Sequence, residues 1–174
     1  MNKLINALDA MKSSKVENYV IAGLDSYLRE NGNVRLFKNS RNHQDSITPH
    51  SHRFDFTCLV LQGFVVNHVW NSCAEPDGDL FESSKLIYSG DMGDHAKSRD
   101  GRDYYNFDST RYEAGDTYSM LAEQLHSINF SKGAIVLFFE GEQKSDESYI
   151  IEPVVSGSLI PTYESKKYMF IKDY

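Results

Sequence analysis

The chain has 174 residues, 40% of them hydrophobic and 13% aromatic, and a formal net charge of −7 from 25 acidic against 18 basic residues. This length and composition point to one packed domain that needs no disulfide or metal staple, and they exclude a disordered chain. An acidic chain with no Lys/Arg cluster is a poor match for a nucleic-acid backbone, and no run reaches the length of a membrane span. The N-terminal stretch "MNKLINALDAMKSSK" lacks a continuous apolar core and a small-residue cleavage site, so no signal peptide is expected. Ile5, Leu8 and Met11 recur there at helical spacing. A second helix is predicted from the Ser14/Glu17 capping box and the apolar face of Val16, Tyr19, Val20, Leu24, Tyr27 and Leu28, with Gly32 as its stop.

After Asn33 the pattern changes to short strands bounded by Gly, Asp, Asn and Ser. The strands expected are "VRLFKN", "FDFTCLVLQ", "FVVNHVWNS", "DLFESSKLIYS", "DYYNFDSTRYEA", "DTYSMLA", "LHSINFS", "AIVLFFE" and "YIIEPVV". Many short strands with regular turns predict an antiparallel sandwich or barrel. The polar stretch 89–103 reads as a long exposed loop, either a tip or a lid. The expected organisation is a helical segment over 1–33, packed outside a β-barrel over 34–174, in one structural domain. The tail "YESKKYMFIKDY" would add an edge strand or a subunit contact. Cys58 lies in an apolar run and Cys73 in a turn. Two cysteines make no disulfide framework, so a reducing, cytoplasmic compartment is expected.

One stretch carries chemistry. In "ITPHSHRFDFTCLVLQG", strand alternation puts His50, His52, Phe54, Phe56, Cys58 and Val60 on one face and Asp55, Thr57, Leu59 and Leu61 on the other. Two histidines at i and i+2 can then point together. Imidazole suits Fe, Zn, Ni and Cu, so spacing alone does not choose a metal. His126 lies in a later strand and shares its face with Ile128 and Phe130. By itself it would read as a core histidine, but three inward histidines on two strands of one barrel suggest a site.

These residues resemble the cupin superfamily of small β-barrels. Its first motif, G-x5-H-x-H-x3,4-E-x6-G, is matched by His50, His52 and Gly63. Its second, G-x5-P-x-G-x2-H-x3-N, is matched by Gly115 and His126, eleven positions apart. The resemblance covers roughly residues 34–155 and implies an all-β, jelly-roll antiparallel barrel with the N-terminal helices outside it. The departures are specific. Phe56 stands where the ligating glutamate would be, and Asp55 is one residue out of phase, so that only a bulge would bring it in. Gln44, Leu121, Glu123 and Phe130 replace the first glycine, the proline, the inner glycine and the asparagine; Asn129 falls on the other face.

Cupin sites of three histidines without the glutamate look like those of thiol and diketone-cleaving dioxygenases. The resemblance therefore implies a mononuclear metal held by His50, His52 and His126, with Fe(II) preferred and Ni or Zn as alternatives. The implied activity is an oxidoreductase, a dioxygenase acting on a small organic acid, thiol or dicarbonyl compound. A non-catalytic ligand-binding or regulatory cupin and a sugar isomerase or epimerase are the other readings. The expected partner is a small molecule, with neither nucleic acid nor membrane, and by analogy a homodimer paired through sheet edges. Candidates for the substrate pocket are Phe54, Phe56, Tyr118 and, next to the metal ligands, His68. Cys58 reads as a buried structural thiol, and His43 and His95 as solvated. Arg53, Arg99, Arg102 and Arg111 could hold a substrate carboxylate, because guanidinium binds it bidentately. Tyr104, Tyr105, Tyr112 and Tyr118 take no individual role.

Overall fold

A computed structural model describes residues 16–18, 24–28, 33–40, 48–88 and 95–154. All the regular structure within them is β. In chain order the strands are β1 (Val16–Asn18), β2 (Leu24–Leu28), β3 (Val34–Asn39), β4 (Phe54–Gln62), β5 (Phe64–Cys73) and β6 (Asp79–Tyr88). They continue with β7 (His95–Glu113), β8 (Thr117–Met120), β9 (Leu125–Phe130), β10 (Ile135–Gln143) and β11 (Glu147–Pro153). Two sheets form, a six-stranded one in the order β1-β2-β3-β10-β4-β8 and a five-stranded one in the order β11-β6-β7-β5-β9. Every pairing is antiparallel. No helix among the described residues is long and apolar enough to cross a membrane.

Alternation decides which face of each strand turns inward. In β4, Phe56, Cys58 and Val60 are buried between the sheets, and they meet Phe37, Tyr118, Met120, Val136 and Phe138 of the same sheet. Val65, Ile128 and Phe130 close the cluster from the other sheet. Burying each large apolar side chain contributes about 1.5–3 kcal/mol, so this shared face is what clamps the two sheets together. The outward residues of β4, Leu59 and Leu61, pack with Leu36, Phe139 and Tyr27 around Val34 and Leu137. Gly63 makes the β4–β5 turn at φ +70°. A Cβ there would stand 2.6 Å from Ser131 Oγ, so both the backbone conformation and the space demand glycine. Gly115, at φ +103°, makes the turn into β8, its N–H bonded to the Val60 carbonyl at 2.8 Å.

The structure corrects two expectations. The helix predicted from residue 14 onward is extended wherever it is described: Val16–Asn18 pairs with Leu24–Leu28, and the latter pairs with β3. Leu24 and Ser26 turn into the core while Tyr27 packs on the outer cluster, a period of two rather than of 3.6. The helix predicted around Ile5–Met11 lies outside the described residues, as do Gln44, His43 and the tail. The second correction concerns the stretch 89–103. Its residues 95–103 are strand, not loop, because β7 is long enough to pair with β6 from His95 through Tyr105.

Candidate metal centre

The segment ahead of β4 holds the first two histidines. It is extended and stitched on both sides. His50 exchanges N–H···O bonds of 2.9 Å in both directions with His126 of β9, and the His52 N–H reaches the Ala122 carbonyl at 2.9 Å. On the other side the Ser51 N–H meets Tyr149 O at 2.8 Å and the Ile151 N–H meets Pro49 O at 3.0 Å. β9 and β11 are the two edge strands of the five-stranded sheet. Residues 49–52 therefore bridge its edges and close it.

His50 and His52 fall on the same side of this segment as their i, i+2 spacing requires. His126 joins them from β9, opposite His50. One ring nitrogen of each lies within 4.8 Å of the other two, and His52 Nε2 and His126 Nε2 are 3.0 Å apart. Two of the rings are held from behind. His50 Nδ1 donates to Thr48 O at 2.8 Å, and His126 Nδ1 donates to Asn67 Oδ1 at 2.8 Å. The Asn67 amide nitrogen points to Met120 Sδ at 3.4 Å, which fixes the carbonyl end on the histidine. With a proton on each Nδ1, His50 and His126 turn lone pairs at Nε2 away from these partners.

Burial keeps all three rings neutral. It lowers His50 below its ordinary value, with the Thr48 carbonyl opposing. His52 is pushed down to about 3, first by burial, then by His50 and by Arg35. His126 is held well below its ordinary value by burial and then by His50, His52 and His68. Three neutral imidazoles with ring nitrogens this close could hold a metal ion. The 3.0 Å between His52 Nε2 and His126 Nε2 is a hydrogen-bond distance between the two rings, and it also lets both nitrogens face one ion.

The cluster opens on a cavity of about 380 Å³. Phe54, Phe56 and Phe138 ring His52 at centroid distances of 5.6, 4.6 and 6.0 Å. Cys58, Tyr118, Ile128, Phe130 and Phe37 line the rest, with Arg35, Arg53, Tyr88 and Glu140 as polar members of the wall. Burial pushes the Cys58 thiol up to about 12, so it stays protonated, and it lies outside the three-histidine group. Burial also raises Tyr118, whose ring stacks on Tyr112 at 4.6 Å.

Of the residues picked from the sequence, Phe54, Phe56 and Tyr118 line this cavity and His68 does not. His68 is on the opposite face of β5, fully buried, with Nδ1 2.6 Å from Ser109 Oγ. The residue of that strand that reaches the cluster is its neighbour Asn67, which the sequence reading passed over. Its inward parity with Val65 and Val69 is the signal that could have found it. Phe56, at the position of the missing carboxylate, is buried against His52 and His126. Asp55 faces away and accepts the Ala122 N–H at 2.8 Å. The strand irregularity nearby lies in β10, between Glu140 and Gln143, and leaves Asp55 out of phase. Arg99 and Arg102 pair with Glu82, and Arg111 with Glu113, all away from the cavity. Arg53 alone of the four sequence candidates lines it.

No protein-family model matches the chain, and no curated protein matches it by sequence. Solved structures do resemble it in shape. The Drosophila melanogaster CENP-C structure bound to CAL1 is 10% identical over 80% of this chain and 97% of that one, with a TM-score of 0.39. KdgF from Halomonas sp. is 14% identical over 76% and 92%, with a TM-score of 0.40. Streptomyces albus HEPD, solved with 2-hydroxyethylphosphonate and Fe(II), is 11% identical over 76% of this chain and 25% of that one, with a TM-score of 0.45. At these scores and identities no activity carries across. The chain's own two antiparallel sheets, closed by the histidine-bearing segment and enclosing the three imidazoles, form an antiparallel β-barrel consistent with the cupin jelly-roll.

Proposed function

We propose that this barrel is a mononuclear, non-haem metalloenzyme, an oxidoreductase that uses Fe(II) at His50, His52 and His126 to act with O2 on a small organic molecule. The observation that carries it is the convergence of three neutral imidazoles, with no carboxylate among them, on the wall of an apolar cavity. A divalent ion held by neutral ligands alone keeps its full charge and open positions, and iron so held supplies O2 chemistry beside a bound substrate. The protein's part is to hold and orient. Thr48 and Asn67 fix two rings, and Phe54, Phe56 and Phe138 keep water from the ligand face.

An isomerase or epimerase is less well supported. That chemistry needs a base poised near neutral pH. His52 at about 3 is a poor base, and Cys58 at about 12 holds its proton. The first test is metal content. Protein purified without chelator and reloaded with Fe(II), Co(II) or Zn(II) should retain about one ion per chain, and His126→Ala should lose it. Wild-type protein that retains no ion, or His126→Ala that retains as much as wild type, would refute the reading. Oxygen consumption by the iron-loaded protein across a panel of thiols, diketones and small acids then tests the activity.

A further inference from the structure

We infer that the cavity selects an anionic ligand, a small carboxylate with an apolar body, and that Arg53 is the residue that holds its carboxylate. The inference deepens the reading of the cavity as a substrate site, but it rests on different atoms from the metal proposal.

Two arginines line the cavity. Arg35 is committed: its Nε is 2.8 Å from Glu140 Oε1 in a partly buried ion pair. Arg53 has no acidic partner among the described residues. Its guanidinium instead lies over the ring of Tyr88, 4.3 Å from the centroid. The Tyr88 hydroxyl is in turn 3.1 Å from Ser148 Oγ, and both residues line the same cavity. A guanidinium held over an aromatic face by a cation–π contact still has N–H donors to offer a bidentate acceptor. The contact restrains the head group before a ligand arrives, which lowers the cost of ordering it.

The charge balance of the wall supports the same conclusion. Its charged side chains are Arg35, Arg53 and Glu140, which sum to +1. The remainder of the lining is dominated by aromatic and aliphatic side chains. An apolar chamber with one unbalanced fixed cation favours a ligand with one negative head and an apolar body. Arg53 lines the same cavity as His50, His52 and His126, so a carboxylate held there places its body in the chamber that the histidines face. The backbone carbonyl of Arg53 accepts the N–H groups of Lys144 and Ser145 at 2.7 and 3.1 Å, so the side chain can be changed without loss of the bonds that fix the segment.

The test uses metal-free protein, stripped with chelator, so that an anion cannot bind through an ion. Benzoate and hexanoate are titrated by NMR or calorimetry against their uncharged amides, benzamide and hexanamide. Both carboxylates should bind at least about tenfold more tightly than the amides, and Arg53→Met should abolish that preference. Arg53→Lys, which keeps the charge but not the fork, should fall between. Circular dichroism and the unfolding midpoint check that each variant is folded; if Arg53→Met does not fold, Arg53→Lys and the wild-type amide comparison decide. Failure of both carboxylates to bind, equal affinity for acid and amide, or an undiminished preference in a folded Arg53 variant overturns the proposal. Because no metal is present, these outcomes are separate from a failure of the metal proposal, which is read from ion retention.

Discussion

Asn67 shows how much of the site depends on a side chain that would not touch the ion. Its carbonyl holds the Nδ1 proton of His126, and so directs Nε2 toward the other two rings. Asn67→Leu keeps the volume and removes the acceptor. Metal affinity should fall by about 10–100-fold, as measured by competition with a chromogenic chelator. Asn67→Asp, which still accepts that proton, should recover part of the loss; an unchanged affinity in Asn67→Leu would remove the residue from the site. The histidine pair was legible in the sequence because its i, i+2 spacing holds in any extended segment, and Phe56 followed from the same parity. Asn67 was not, because both faces of β5 are apolar. Val65 and Val69 point inward and Val66 and Trp70 outward, all but Val69 buried. "FVVNHVW" therefore carries no polar alternation to set its phase, and His68, the more reactive side chain, drew the assignment from its neighbour.

At the scale of elements, the histidine-bearing segment owes its position to residues on either side of it. Asp55 is the clearest case. One residue out of phase for a ligand, it serves instead as a clamp. Its carboxylate takes the Ala122 N–H, and the Ala122 carbonyl takes the His52 N–H. The turn between β8 and β9 is thus tied to the histidine segment at one residue. Asp55→Ala leaves that N–H without its acceptor and should cost about 1–3 kcal/mol in urea unfolding, with weakened metal retention. Asp55→Asn keeps an acceptor oxygen and should cost less. If Asp55→Ala unfolds at the wild-type midpoint, the clamp has no energetic weight. The elements missed in the sequence failed for a related reason. In 24–28 the apolar residues Leu24, Tyr27 and Leu28 fit a helical period, yet the strand uses Leu24 inward and Tyr27 outward, with apolar layers on both faces. In β7, residues 96–100 are all exposed. With neither face buried there is no alternation to read, and only the pairing with β6 makes them a strand. Tertiary pairing overrode local pattern in both places.

For the whole molecule, the buried histidines tie folding to pH. His50, His52, His68 and His126 all have lowered pKa values in the fold, in each case with burial as the largest cause. Unfolded, each returns to about 6.5. Above that value both states are neutral at these sites and the pKa difference has no effect. As pH falls below about 6.5 the unfolded chain takes up protons that the folded chain refuses, so stability is lost; for His52 the loss continues until its folded value near 3. Each group so shifted removes up to about 1.4 kcal/mol per pH unit within its window. Against a total of about 5–15 kcal/mol for a domain, several acting together are enough to unfold it. Carboxylates titrate mostly below about pH 5, so the loss between pH 6.5 and 5 belongs to the histidines. Metal-free protein should therefore show a falling unfolding midpoint over that interval, followed by thermal melts at fixed ionic strength. His52→Gln, which removes one refusing site, should make the decline shallower. A bound ion adds stability to the folded state alone, and should raise the midpoint most at pH 7, where protons do not compete for the rings. A midpoint that is flat from pH 7 to 5 in metal-free protein would mean that the imidazoles take up protons in the folded state, and the neutral three-histidine ligand set would not hold.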